Sequence, residues 1–214
     1  MLWILFITTA LSRTLKMPAT VYIEEPPPLT NLSRAEVLDA LEKSTSEWEV
    51  ISSTVDFKIV DNQKNADILI SWTLSYHMPA YAWGYATVWP SSVDKEIGSA
   101  LIELRSDCDW KDAEAVDFQS TLTHELGHTL GFSHSDYYDD TMYFSIEPSD
   151  TSKRSLTRRE RALVRYMYPR SLFSCAGFAK VALACDDLEC AEIMFESEQC
   201  YDDAIFEILY APLE

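Results

Sequence analysis

Hydrophobic and polar positions change their period several times along the chain, and each change marks an element. Ala19 to Ile23 has strand character and runs into Glu24-Glu25-Pro26-Pro27-Pro28, which cannot continue a sheet ladder. Ser33-Arg34-Ala35-Glu36 has the form of a capping box. Val37, Leu38, Leu41, Thr45 and Trp48 follow at helical spacing and predict the first helix. Val55 to Val60 alternates as a half-buried strand does, and Asp67 to Trp72 is continuously apolar enough for a sheet interior. Tyr81 to Trp89 is aromatic-rich around Gly84 and reads as an edge strand or a substrate-facing segment. Ala100 to Leu104 predicts another short strand. Val116 to Leu130 predicts a second helix with Val116, Leu122, Leu126 and Leu130 on its apolar face. Arg158 to Tyr168 predicts a third, capped by Thr157 and stopped by Pro169. This order specifies an α+β (α/β-like) domain with a mixed sheet on two main helices.

The two ends carry different patterns. Leu2 to Leu11 is mostly apolar, with Arg13 and Lys16 close behind. A membrane span needs about twenty apolar residues, so this run fits a signal-peptide core better. Thr8-Thr9-Ala10 offers a small-residue cleavage site, although no basic residue precedes the run. A buried strand is the competing reading. Residues 1–13 are thus expected to be a signal or N-terminal segment, 14–170 the main domain, and 171–214 an extension.

Charge sharpens that last boundary. The 214 residues hold 35 acidic and 17 basic side chains, a net charge of −18, with 47% hydrophobic residues. That apolar share supports a packed core, and the acidic balance disfavours nucleic-acid binding. From Cys175 to Glu214 ten acidic residues face Lys180 alone, whereas Lys153 to Arg170 holds seven basic residues and only Glu160. On a last helix such basic residues are usually a solvated face. Cys175, Cys185, Cys190 and Cys200 cluster in the acidic extension, while Cys108 stands apart. Their spacing favours two disulfides, hence an oxidising compartment, over a structural zinc site. Asn31-Leu32-Ser33 is a glycosylation sequon, relevant to a secreted chain.

The sharpest chemical signal is His124-Glu125-Leu126-Gly127-His128-Thr129-Leu130-Gly131-Phe132-Ser133-His134. On a helix, positions four apart share a face, so His124 and His128 can present imidazoles to one zinc ion. Gly131 can take a left-handed conformation and turn the chain back, bringing His134 as third ligand. Three neutral histidines leave a position open to water, the catalytic rather than structural arrangement. Glu125 is placed to take a proton from the zinc-activated water as general base, and to hand it to the leaving amine. Three of the chain's four histidines occupy this one window.

The extended HExxHxxGxxH pattern with Met142 eight residues beyond His134 resembles the metzincin metalloproteases. Ser135 after the third histidine, Ala66 to Trp72 and Trp48 are similar to the matrixin branch. The resemblance covers roughly residues 14–169. It implies a metzincin-type catalytic domain with a Met-turn, Met142 forming a hydrophobic floor beneath the zinc histidines. It also implies an upper edge strand at Tyr81 to Trp89 that pairs with extended substrate through Tyr85, Ala86 and Thr87. The segment Tyr143 to Leu156 would wall the pocket just after the scissile bond.

Departures from that family also matter. The only cysteine before the motif is Cys108, read as a free thiol rather than an internal zinc mask. Only His77 remains for a second, structural zinc, so one catalytic ion is expected. Asp107 and Asp109 are calcium candidates better read as surface carboxylates. The extension resembles the twin CX9C pattern of helical hairpins. If both arms are helical, that nesting would pair Cys185 with Cys190 and Cys175 with Cys200. Its charge would favour docking near Lys153 to Arg170. The expectation is a secreted, monomeric zinc endopeptidase acting on peptides or proteins, without a stable membrane span. The alternative is an inactive scaffold serving as a protein-binding module.

Overall fold

The computed structural model describes residues 14–79, 81–92 and 96–168. The apolar N-terminal run and the four cysteines of the acidic extension lie outside the described residues.

Six strands form one mixed sheet: β1 (Thr14–Leu15), β2 (Ala19–Ile23), β3 (Phe57–Ile59), β4 (Ile68–Thr73), β5 (Gly84–Pro90) and β6 (Glu96–Arg105). The order is β1-β6-β4-β2-β3, all parallel, and β5 pairs antiparallel with β6. Since β4 occupies one flank of β6, β5 lies on the other and forms the rim expected of an edge strand. Among the described residues three α-helices pack with the sheet: α1 (Arg34–Glu49), α2 (Phe118–Thr129) and α3 (Arg158–Met167).

Capping explains where the helices start. Ser33 and Glu36 form the reciprocal box that opens α1, and Thr157 and Glu160 form the one that opens α3. Asp117 opens α2 by accepting from the Ser120 N–H at 2.8 Å. Val116 therefore precedes α2 instead of marking its face, and pairs in an isolated antiparallel bridge with Pro148. Two strand expectations also shift. β6 runs ten residues because β4 and β5 both pair with it, while β3 shortens to three because it pairs only with Ala19–Val21.

The core joins sheet and helices. Val21, Ile23, Ile68, Ile70, Ile102 and Leu104 from the strands meet Val37, Leu41 and Trp48 of α1 and Leu122 and Leu126 of α2. Trp48 locks the two helices together: its ring stacks on Phe132 at 5.3 Å and its indole N–H donates to the Thr123 carbonyl at 3.0 Å. Beside the sheet, Trp72 stacks on Phe118 and Trp110 meets Phe118 and Trp83 edge-on.

The basic residues of α3 remain at least partly open to solvent, but several basic side chains of the segment are engaged within the domain. Lys153 is buried and donates to the Tyr138 carbonyl. Arg154 pairs with Asp117 at 2.5 Å, Arg159 with Asp140 at 2.8 Å and Arg161 with Glu47 at 2.5 Å. Each of these arginines thus has an acidic partner within the domain.

Candidate metal centre and active site

Helix α2 presents His124 and His128 one turn apart. Gly131, with φ of 97°, ends the helix and turns the chain so that His134 returns to the same point. The His128 Nε2 lies 3.1 Å from His124 Nε2 and 3.2 Å from His134 Nε2. The opposite nitrogens fix the tautomers: His124 Nδ1 faces the Thr141 carbonyl at 2.7 Å, and His128 Nδ1 faces the Phe132 carbonyl at 2.8 Å. A carbonyl can only accept, so both Nδ1 atoms carry the protons and both Nε2 lone pairs point inward. Converging lone pairs repel unless a cation lies between them. Carbonyls behind ligating imidazoles are the usual arrangement of a histidine metal site. The donor set fits zinc, and among the described residues these three histidines are the one cluster of metal-ligating groups. Burial, aided by repulsion from neighbouring cationic forms, pushes the His124 pKa down to about 3, which keeps the ring neutral.

Glu125 lies beside them, buried at 5% exposure. Burial pushes its pKa up to about 8, against the pull of a hydrogen bond from the Ala86 backbone. Among the described residues its Oε2 has no hydrogen-bond partner. A buried carboxylate oxygen left unpaired is rare and points to a small polar group that belongs there.

Met142 is buried against α2 at Gly127. A Cβ on Gly127 would collide with the Met142 sulfur and lie 2.7 Å from Trp48. The methionine turn is held from behind by Glu160, whose carboxylate accepts from the N–H groups of Met142 at 2.7 Å and Thr141 at 3.0 Å. The same carboxylate accepts from the Thr157 N–H at 2.9 Å. Its pKa is raised by burial and drawn back by these three amides. With both oxygens accepting, it serves as an anion. Asp140 braces the turn's outer side, accepting from Ser135, Thr157 and Arg159.

A cleft of about 1090 Å³ runs between β5 and α2 past the histidines, and Phe144, Ser145 and Ile146 close one end. The Arg105 N–H donates to the Trp83 carbonyl, so the odd-numbered residues of β5 bond to β6. Gly84, Ala86 and Val88 therefore turn their backbone groups outward. Of the three residues expected to meet substrate, Tyr85 and Ala86 line the cleft and Thr87 does not. Val88 lines it instead. Gly84, read only as an interruption in an aromatic run, proves to be part of the site. A Cβ there would lie 2.7 Å from Glu125 Oε1.

The remaining chemical expectations fall elsewhere. Cys108 is a free, half-buried thiol whose pKa burial pushes up to about 11, and its sulfur lies near the Arg105 carbonyl. Asp107 accepts from Ser75 and Arg105, and Asp109 from Asn31 and the Lys111 N–H, so protein donors engage both carboxylates. His77 ends a short 3-10 turn with its ring against Tyr76.

Comparison with known proteins agrees with this geometry. The family model described as Matrixin matches residues 17–169. Metalloendoproteinase 1-MMP of Arabidopsis thaliana is 29% identical over 147 residues, covering 65% of this chain. The matched region spans 40% of that relative's length.

Proposed function

Because this chain belongs to the matrixin family of zinc metalloendopeptidases, we propose that it is a secreted endopeptidase that hydrolyses peptide bonds in the cleft between β5 and α2. The observation that carries this reading is the convergence of three imidazole nitrogens, within 4.8 Å of one another, beside a buried carboxylate with a free oxygen.

His124, His128 and His134 would hold zinc through their inward nitrogens. Bound there, zinc would supply the Lewis acid that polarises the substrate carbonyl and makes water acidic. The remaining work falls to the chain's own groups. Glu125 takes the proton from water at its free Oε2 and delivers it to the leaving amine. Extended substrate lies along β5, where the outward Ala86 carbonyl and the Val88 backbone groups continue the sheet and Tyr85 contributes a side-chain contact. Phe144 to Ile146 receive the residue following the scissile bond.

Support for secretion comes from the apolar N-terminal run, and the exposed Asn31 would make the sequon accessible in a secreted chain. Among the described residues no helix is long and apolar enough to cross a membrane. The shift in charge near residue 170 supports residues 14–170 as the catalytic unit and 171–214 as an acidic extension.

Purified, zinc-loaded protein should cleave a peptide library, and a zinc chelator should abolish cleavage. Turnover that survives chelation, or a folded, zinc-loaded protein that cleaves nothing, would sink the reading.

A further inference from the structure

Helix α3 contributes no residue to the cleft lining, yet it touches the metal centre's supports at both ends. At its N-terminus Glu160 holds the methionine turn. At its C-terminus Tyr168, buried at 6% exposure, sends its hydroxyl between two other elements. The phenol accepts from the Leu15 N–H of β1 at 2.8 Å and donates to the Leu130 carbonyl at the end of α2, also at 2.8 Å.

Leu130 is not an arbitrary acceptor. It is the C-cap of α2, and Gly131 and Phe132 after it form the turn closed by Gly131 N–H to the His128 carbonyl and Phe132 N–H to the Gly127 carbonyl. That turn sets two ligands: the Phe132 carbonyl orients His128, and His134 follows two residues later. The phenol is itself fixed. Ser52 and Thr54 donate their hydroxyls to the Tyr168 carbonyl at 2.6 and 2.8 Å. Burial raises its pKa, so it stays a neutral group that can donate and accept together. Removing the hydroxyl would leave a buried N–H and a helix-end carbonyl without partners, although the ring would still fill its place.

We infer that Tyr168 is a positioning residue for the metal centre, holding the turn that carries His128 and His134 in register with the N-terminal strand through its hydroxyl. The inference rests on the reading of the three histidines as a zinc site. The coupling runs both ways, because a ligand that stabilises the turn must also stabilise what the turn is tied to. Zinc should therefore tighten the Leu15 N–H bond, even though β1 contributes nothing to the ligand set.

The test measures zinc affinity of the full chain by chelator competition, beside denaturant unfolding of the metal-free protein. Tyr168→Phe should bind zinc about tenfold more weakly, the lower end of the range for groups that orient ligands from behind. Ser52→Ala loosens the same tyrosine at its main chain but leaves the hydroxyl bonds, so it should lose stability and keep wild-type zinc affinity. Wild-type affinity in a folded Tyr168→Phe, or equal weakening in both variants, would overturn the inference. Hydrogen exchange on the wild-type chain decides the matter if Tyr168→Phe does not fold. Zinc loading should slow exchange of the Leu15 amide several-fold and leave the Phe57 amide of β3 unchanged, and an unaffected Leu15 overturns the inference. A wild-type chain that binds no zinc would instead refute the function proposed above.

Discussion

Gly84 stands directly over Glu125: a Cβ at this position would come within 2.7 Å of the carboxylate oxygen and 2.8 Å of its Cγ. The rim strand and the catalytic helix approach so closely that only hydrogen fits between them. This contact is what sets the carboxylate beside the Ala86 backbone rather than in open solvent.

Gly84→Ala should therefore displace Glu125 or push β5 outward. Overpacking of this kind costs about 1–3 kcal/mol. The expected outcome is a lowered denaturation midpoint together with reduced kcat, while zinc content stays at one per chain. A variant with wild-type kcat would show that the close approach does not position the carboxylate.

Glu125→Gln keeps the side chain's size and removes the base. Turnover should fall by about 10²–10⁴, the usual contribution of general acid–base catalysis. Zinc measured by elemental analysis should remain near one per chain, since no ligand is lost. Retention of wild-type turnover would show that another group moves the proton.

Glu160→Ala removes the acceptor shared by the Thr141, Met142 and Thr157 amides. Leaving even one buried donor unpaired costs about 1–3 kcal/mol. The variant should unfold at lower denaturant and hold zinc less tightly, because the Thr141 carbonyl that orients His124 sits in the freed turn. Unchanged zinc affinity, by chelator competition, would separate the turn from the metal centre.

Acid should weaken the domain through Asp117 and Asp140. Burial works to raise both carboxyl pKa values, but Arg154 and Ser120 at Asp117, and Arg159, Ser135 and Thr157 at Asp140, outweigh it and hold both below the ordinary 3.8. A depressed carboxyl contributes stability above its unfolded value and loses it as pH falls through the folded one. The loss should thus begin only below about pH 4. Denaturant unfolding at pH 7, 4 and 3 should show it, and Asp140→Asn should show a shallower fall. An equally steep fall in that variant would remove Asp140 from the account.

The chemistry was more legible in the sequence than its supports were. His124, His128 and His134 could be placed because helical spacing and a turn-forming Gly131 are local facts. Thr157 was visible as a cap, but the grip of Glu160 on Met142 depends on a segment 18 residues away that only tertiary packing brings near. Arg154, Arg159 and Arg161 read as surface charge because their partners Asp117, Asp140 and Glu47 are remote in sequence. Val116 fits the apolar period of α2, yet Asp117 captures the helix start and hands Val116 to Pro148. Periodicity records which residues avoid water, and not which neighbour they meet.

The packing of Met142 has a bearing on chemical damage. A thioether exposed to peroxide gains an oxygen and becomes a polar sulfoxide. Here the residue is 3% exposed, and its sulfur occupies the space that a Cβ on Gly127 would fill, a point also 2.7 Å from the Trp48 indole. An added oxygen has neither room nor a solvent path. Peroxide should reach the half-buried Met17, Met78 and Met167 long before this one, and the hydrophobic floor should be spent only in molecules that have already opened.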